Sequence, residues 1–272
     1  MHRKVEAGRG AGWIVDGLAQ LKANGGVFAS MGLLMGFLSA LPFVGLLPGL
    51  LGPVFHGGLV NALDTQRRGG TPTFGQLFAG FSRPGAFGRL FPLVAVAILM
   101  GIFAVIVLLV AMGPAIFQMI RQGGDPQPEQ ILALFLPMAL AFLVLFPVVM
   151  LFSWMVFLAV PRAMLEGIPG FSALRESLRA VGANIGAFII NLLCWVALMA
   201  VLMLPMLLVT MMFGALFSGS GLASMLAQII VSTLFGAVYV VIYTASMYQA
   251  WLEIYAPTPD AADLGASVAV EV

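Results

Sequence analysis

Acidic and basic residues divide the chain into long uncharged stretches: none falls in 23–63, 90–120, 130–161 or 180–252. An α-helix rising about 1.5 Å per residue needs roughly 20 predominantly apolar residues to cross a hydrocarbon core about 30 Å thick. The window 26–63 would be about 57 Å long as one helix, which is the length of two crossings. Pro42, Gly45, Pro48, Gly49 and Pro53 place its reversal near 43–48. The windows 90–120 and 130–161 each read as one crossing, the second kinked at Pro137 and Pro147. The window 180–252 reads as two, reversing at "FSGSG", 217–221. The pattern predicts an all-α integral membrane fold of six transmembrane helices, at about 26–43, 46–63, 90–113, 131–159, 185–214 and 224–252. They form three helical hairpins, each preceded by an amphipathic interface helix, in a single domain 1–255 followed by a disordered tail, 256–272.

The interface helices come from a different periodicity. Within 171–181, Phe171, Leu174, Leu178 and Val181 recur on one helical face and Arg175, Glu176 and Arg179 on the other. This predicts a helix lying in the membrane interface, its apolar face on acyl chains and its arginines towards headgroups. Phe74, Leu77, Phe78 and Phe81 make a similar stripe, with Thr73 and Gln76 spaced as a capping box. Trp13, Gly17, Leu18 and Leu21 make a third, opposite Asp16, Gln20 and Lys22. "ANGGVF" (23–28), "SRPGAF" (82–87) and "ANIGAF" (183–188) each place a glycine two residues before a phenylalanine as a span begins. The returning spans close on Asp64, Glu166 and Glu253, each with a proline soon after. Together these predict a threefold internal repeat of interface helix, outward span, inward span and acidic stop.

Composition agrees with lipid as the solvent. Of 272 residues, 61% are hydrophobic and 8% charged, against roughly 25% charged in a soluble domain. Arg3, Lys4, Arg9, Lys22, Arg67, Arg68, Arg83, Arg89, Arg162, Arg175 and Arg179 fall on one side of the predicted layout and Arg121 alone on the other. The positive-inside rule then puts both termini in the cytoplasm. Trp13 and Trp251 read as interfacial anchors, Trp154 and Trp195 as packed at depth. The basic start, "MHRKVEAGRGAGW", reads as uncleaved, and the single cysteine, Cys194, forms no disulfide within the chain. A net charge of +1 argues against nucleic acid as a partner.

The segments "GWIVDGLAQLKAN", "FSALRESLRAVGANIGAF" and "YTASMYQAWLEIYA" resemble a family of uncharacterised bacterial six-span inner-membrane proteins. That family is similar in layout to the membrane domain attached to some glycerophosphodiester phosphodiesterases. The likeness covers roughly residues 10–255, with Asn24-Gly25 where relatives often carry Asn-Pro. It implies a helical fold in the bacterial cytoplasmic (inner) membrane and implies no activity.

Reactive signatures are missing from the sequence. There is no H-E-x-x-H, no G-x-S-x-G, no P-loop and no carboxylate within a predicted span. The expectation is a protein that is not an enzyme and takes no cofactor. Polar residues remain at depth. Ser232, Tyr239, Tyr243, Ser246 and Glu253 share a face of the sixth span, Asn184 and Asn191 a face of the fifth, and His56 and Asn61 lie in the second. They form either a polar groove between spans 5 and 6 or hydrogen bonds between helices. The methionine pairs Met31/Met35 and Met199/Met203, the latter continued by Met206, read as apolar filler ahead of Cu(I) ligands. Gly32/Gly36 and Gly182/Gly186 let another helix approach closely. The expected role is a scaffold or accessory factor for envelope components, contacting membrane lipids and other inner-membrane proteins or a second copy. The alternative is a channel, transporter or lipid-moving protein using the groove.

Overall fold

A computed structural model describes residues 2–122, 132–216 and 221–256, and every regular element among them is helical. The α-helices are α1 (Arg9–Leu21), α2 (Gly25–Ala40), α3 (Leu46–Leu50), α4 (Gly52–Arg67), α5 (Ala79–Ser82), α6 (Ala86–Gln122), α7 (Phe135–Pro161), α8 (Gly170–Ala183), α9 (Ile185–Leu216) and α10 (Gly221–Tyr255). Short 3₁₀ turns cover Lys22–Asn24 and Phe74–Phe78, and a π-turn covers Arg162–Glu166. The capping box of Thr73 and Gln76 is formed. The expected tail from 257 onward, and 217–220 of the expected reversal, lie outside the described residues.

Among the described residues, five helical runs are long and apolar enough to cross a membrane: Arg9–Ala40, Ala86–Arg121, Phe135–Glu166, Ile185–Leu216 and Gly221–Tyr255. The expected second span differs from these. The chain turns after Ala40, with Phe43 in the left-handed region at φ 62°, forms α3, and breaks again at Leu51 before Pro53 starts α4. At 16 residues, α4 is about 24 Å long, short of a hydrocarbon core of about 30 Å. It is buried around most of its circumference, from Val54 to Asp64. Absence of charge over 46–63 therefore marks a helix enclosed by protein as much as one facing lipid. Pro137 falls in the first turn of α7, where its missing N–H breaks no bond, whereas Pro147 lies inside the helix.

Helix pairing also departs from the expected first hairpin, because α2 runs along α10 rather than α4. A Cβ on Gly36 would meet the Thr233 carbonyl oxygen at 2.2 Å, and one on Gly32 would meet that of Ala237 at 2.7 Å. The neighbour admitted by Gly32/Gly36 is thus internal. Gly182 faces open space and Gly186 faces only Ala7, so that pair admits no second helix.

Each interface segment packs on the inward helix that precedes it. The segment 74–82 packs on α4 and α8 packs on α7, while α1, which has no predecessor, packs on α10 and α9 and closes a ring. Glycines again allow the approach: a Cβ on Gly80 would lie 2.2 Å from the Val54 carbonyl oxygen and one on Gly58 2.0 Å from that of Leu77. Helix α8 turns Ala173, Leu174, Ser177, Ala180 and Val181 into the protein. Phe171 and Leu178, expected on the same apolar face, stay exposed. The core, with Trp13, Phe28, Leu63, Leu158, Phe188 and Tyr248 fully buried, sits at this ringed end. The far halves of α6, α7, α9 and α10 run on beyond it with Val110, Ile120, Leu143 and Leu208 exposed.

Candidate functional site

The ringed end is locked by the three acidic stops. Asp64 accepts hydrogen bonds from the Tyr248 hydroxyl (2.9 Å) and Arg68 (2.6 Å). Glu166 accepts from the Trp251 indole (2.6 Å) and Arg162 (3.1 Å). Glu253 accepts from the Trp13 indole and Arg9, both at 2.5 Å. Every stop thus takes one aromatic donor and at least one arginine, Asp64 having Arg67 at 3.6 Å as well. Trp13 and Trp251, expected as anchors among headgroups, are corrected: they are 0% and 6% exposed because their N–H groups are spent on these carboxylates. On α8, Glu176 pairs with Arg162 at 2.5 Å, and that hydrogen bond holds its carboxyl below the ordinary glutamate range. Arg175 and Arg179 point outward.

Further along the helices the packing opens. Between α7, α9 and α10 lies a cavity of about 530 Å³, walled by Ser153, Trp154, Asn191, Trp195, Tyr239 and Tyr243 together with Met150, Met199 and Met203. A size of about 300–1,000 Å³ is usual for a small-molecule site. Val196 and Met203 on its rim are 59% and 57% exposed, so it opens sideways onto the apolar surface. A smaller cavity, about 220 Å³ between α4, α6, α7 and α10, shares Ser153, Tyr239 and Tyr243 as walls and adds His56. Trp195 lies about 15 Å along α9 from its start at Ile185, and Tyr243 about 15 Å before Glu253 on α10. A hydrocarbon core about 30 Å thick that began at these helix ends would have both positions near its middle. No Lys, Arg, Asp or Glu lines either cavity.

An aromatic cluster sets the walls. Tyr239 and Tyr243, four apart on α10, stack at 5.6 Å, and Trp195 meets them edge-on at 5.6 Å and tilted at 5.8 Å. His56 lies 5.4 Å from the Tyr243 ring and its Nδ1 is 2.6 Å from the Thr244 hydroxyl. The buried Trp195 indole N–H has no hydrogen-bond partner. A buried donor left unpaired is costly, and this one is enclosed by protein atoms instead of facing the open part of the cavity.

Of the residues expected in the groove, His56, Asn191, Tyr239 and Tyr243 line these cavities. Ser246 stands behind Asn191, which donates to it (3.3 Å) and to the Gly10 carbonyl (2.9 Å). Asn61 and Asn184 are elsewhere. Asn61 accepts from Arg83 at the ringed end, and Asn184 holds the irregular N-terminal segment by accepting from the Val5 N–H (2.7 Å) and donating to the Arg3 carbonyl (3.0 Å). Helical phase put them on the right face, but their depth is wrong. The groove also has a third wall, α7, whose Ser153 and Trp154 the pattern of spans 5 and 6 could not supply. Trp195 was visible as an indole at depth, where an N–H needs a partner.

Among the methionines, Met31 and Met35 are buried in the core, Met199 and Met203 line the larger cavity, and Met206 lines a further apolar gap between α9 and α10. Among the described residues no group of three or more His, Cys, Asp or Glu could hold a metal ion. No family model matches the chain, and neither a curated protein nor a solved structure matches it.

Proposed function

We propose that this is a non-enzymatic, multi-pass protein of the bacterial cytoplasmic membrane that receives a membrane-dissolved amphiphile in the cavity between α7, α9 and α10. One observation carries the reading: a space of about 530 Å³, walled by Trp195, Tyr239, Tyr243 and apolar side chains and open towards the apolar surface. In the layout proposed, α2 and α4 form a shorter first pair, bringing the crossings to six, and both termini are cytoplasmic. The interaction of Arg9, Arg67, Arg68 and Arg162 with the three acidic stops at one end supports that orientation. The likeness to six-span inner-membrane proteins belongs to the same proposal.

The test is the lipid that travels with the protein. Purified in mild detergent, the wild type retains one amphiphile class enriched over the bulk membrane extract, and Ala200→Phe, which adds bulk to the cavity wall, loses it while keeping its melting temperature. Identical lipid profiles for the two proteins would refute the reading. A scaffold role is the second reading, favoured by the exposed far halves of α6 and α7, where Leu109, Val110 and Leu143 offer apolar surface to other spans. Co-purification of a stoichiometric inner-membrane partner lost on substituting these residues would support it.

A further inference from the structure

The pair α2 and α4 reverses through a segment built without provision for water. We infer that its tip, residues 41–51, is held as an apolar wedge among the acyl chains of the leaflet away from the ringed end. The side chains make the first argument. From Ala40 to Phe55 none carries a polar atom. The sequences at the other two expected reversals, "QGGDPQPEQ" (122–130) and "FSGSG" (217–221), both carry polar side chains.

Backbone pairing makes the second. In hydrocarbon a peptide group must find its partner within the protein. The Val44 N–H donates to the Pro42 carbonyl (2.7 Å), Gly45 to Leu41 (2.9 Å), Leu46 to Phe43 (3.3 Å), Leu47 to Val44 (2.9 Å) and Leu51 to Leu47 (2.8 Å). Pro42, Pro48 and Pro53 have no N–H to satisfy. The turn closes on itself and leaves apolar side chains to meet the surroundings: Phe43 is 89% exposed, Leu46 65% and Leu47 56%. Phe43 supplies the third argument. Its φ of 62° lies in the left-handed region, where glycine or asparagine is the unstrained choice and a bulky residue is an outlier. Neither of those presents a large apolar side chain, and phenylalanine does. Length agrees. Helix α2 has 16 residues, about 24 Å, so a core about 30 Å thick entered at Gly25 leaves about 6 Å for the turn. Both ends of the pair stay at the ringed end, so the sidedness proposed above is unchanged.

The experiment places a nitroxide on Phe43→Cys or Leu47→Cys, in a Cys194→Ala background. The full chain is labelled in detergent and then reconstituted into phosphatidylcholine vesicles. Relaxation by dissolved oxygen, which concentrates in hydrocarbon, is compared with relaxation by a water-soluble nickel chelate present on both sides. Arg121→Cys, exposed at the far end of α6, is the reference for water. At Phe43 and Leu47 oxygen should dominate, with nickel access about tenfold below that at Arg121 because a hydrated ion is excluded from hydrocarbon. Nickel access equal to that at Arg121 would put the tip in water and overturn the inference. Spin–spin broadening between labels at Phe43 would mean that a second copy covers the tip, and would overturn the choice of lipid as its partner. As an independent check, Leu47→Lys should lower the yield of folded protein from membranes several-fold and Leu47→Met should not. Equal yields would contradict the inference. None of these outcomes bears on the cavity between α7, α9 and α10, whose reading stands or falls separately.

Discussion

The ringed end and the far half of the bundle are built from similar apolar residues but held together by different means. At the ringed end interface helices wedge between span termini, glycines bring backbones into contact, and all three acidic stops are paired. In the far half α6, α7, α9 and α10 carry Pro114, Pro147 and Pro205 within them and expose large side chains on most faces. Lipid tails are as apolar as leucine and drive no association there. Shape and polar pairing at one end therefore decide the fold, and the cavity opens where that packing ends.

Substitutions should separate the two regions sharply. Gly36→Leu drives a side chain into the α10 backbone, where even a Cβ would lie 2.2 Å from the Thr233 oxygen. It should cost about 3 kcal/mol or prevent assembly, read from thermal unfolding in detergent. Glu253→Ala strips the acceptor from the fully buried Trp13 N–H. Its expected cost is about 2 kcal/mol, and pairing it with Trp13→Phe in a double-mutant cycle should recover part of that.

The Arg162–Glu176 pair is mostly exposed on the glutamate side, so its effect is smaller and visible chiefly in pH dependence. The folded-state pKa of Glu176 lies below its unfolded value. Its contribution is present above the ordinary glutamate range and disappears as pH falls through the depressed value. Glu176→Gln should remove that modest contribution at neutral pH, leave stability below the depressed value nearly unchanged, and so flatten the acid limb of the unfolding profile. Leu109→Ala, in the far half and 63% exposed, should change stability by no more than about 0.5 kcal/mol. A large loss there would mean that the far halves are packed against something.

What the sequence disclosed follows the same division. Helix α8, expected over 171–181, and the long apolar helices are readable because period and uncharged length are local properties. The face of α2 with Gly32 and Gly36 was readable as a contact surface, but its partner α10 lies some two hundred residues on and leaves no mark in the local pattern. Enclosure of α4 was hidden for the opposite reason: an uncharged run looks alike whether protein or lipid surrounds it, and only its short length and its Asn61 and Asp64 hint otherwise. The cavity needed Ser153 from α7 beside Trp195 and Tyr243, three positions that no periodicity links.

The central claim is that the space between α7, α9 and α10 communicates with lipid and not with water. A single cysteine at Ala200, in a Cys194→Ala background, tests it in intact membranes. The account predicts no labelling by a charged, membrane-impermeant thiol reagent applied to either face, together with modification of the same segment by a membrane-soluble carbene photoprobe, which needs no thiolate. Labelling by the charged reagent would mean a wet pathway through the bundle and would contradict the account.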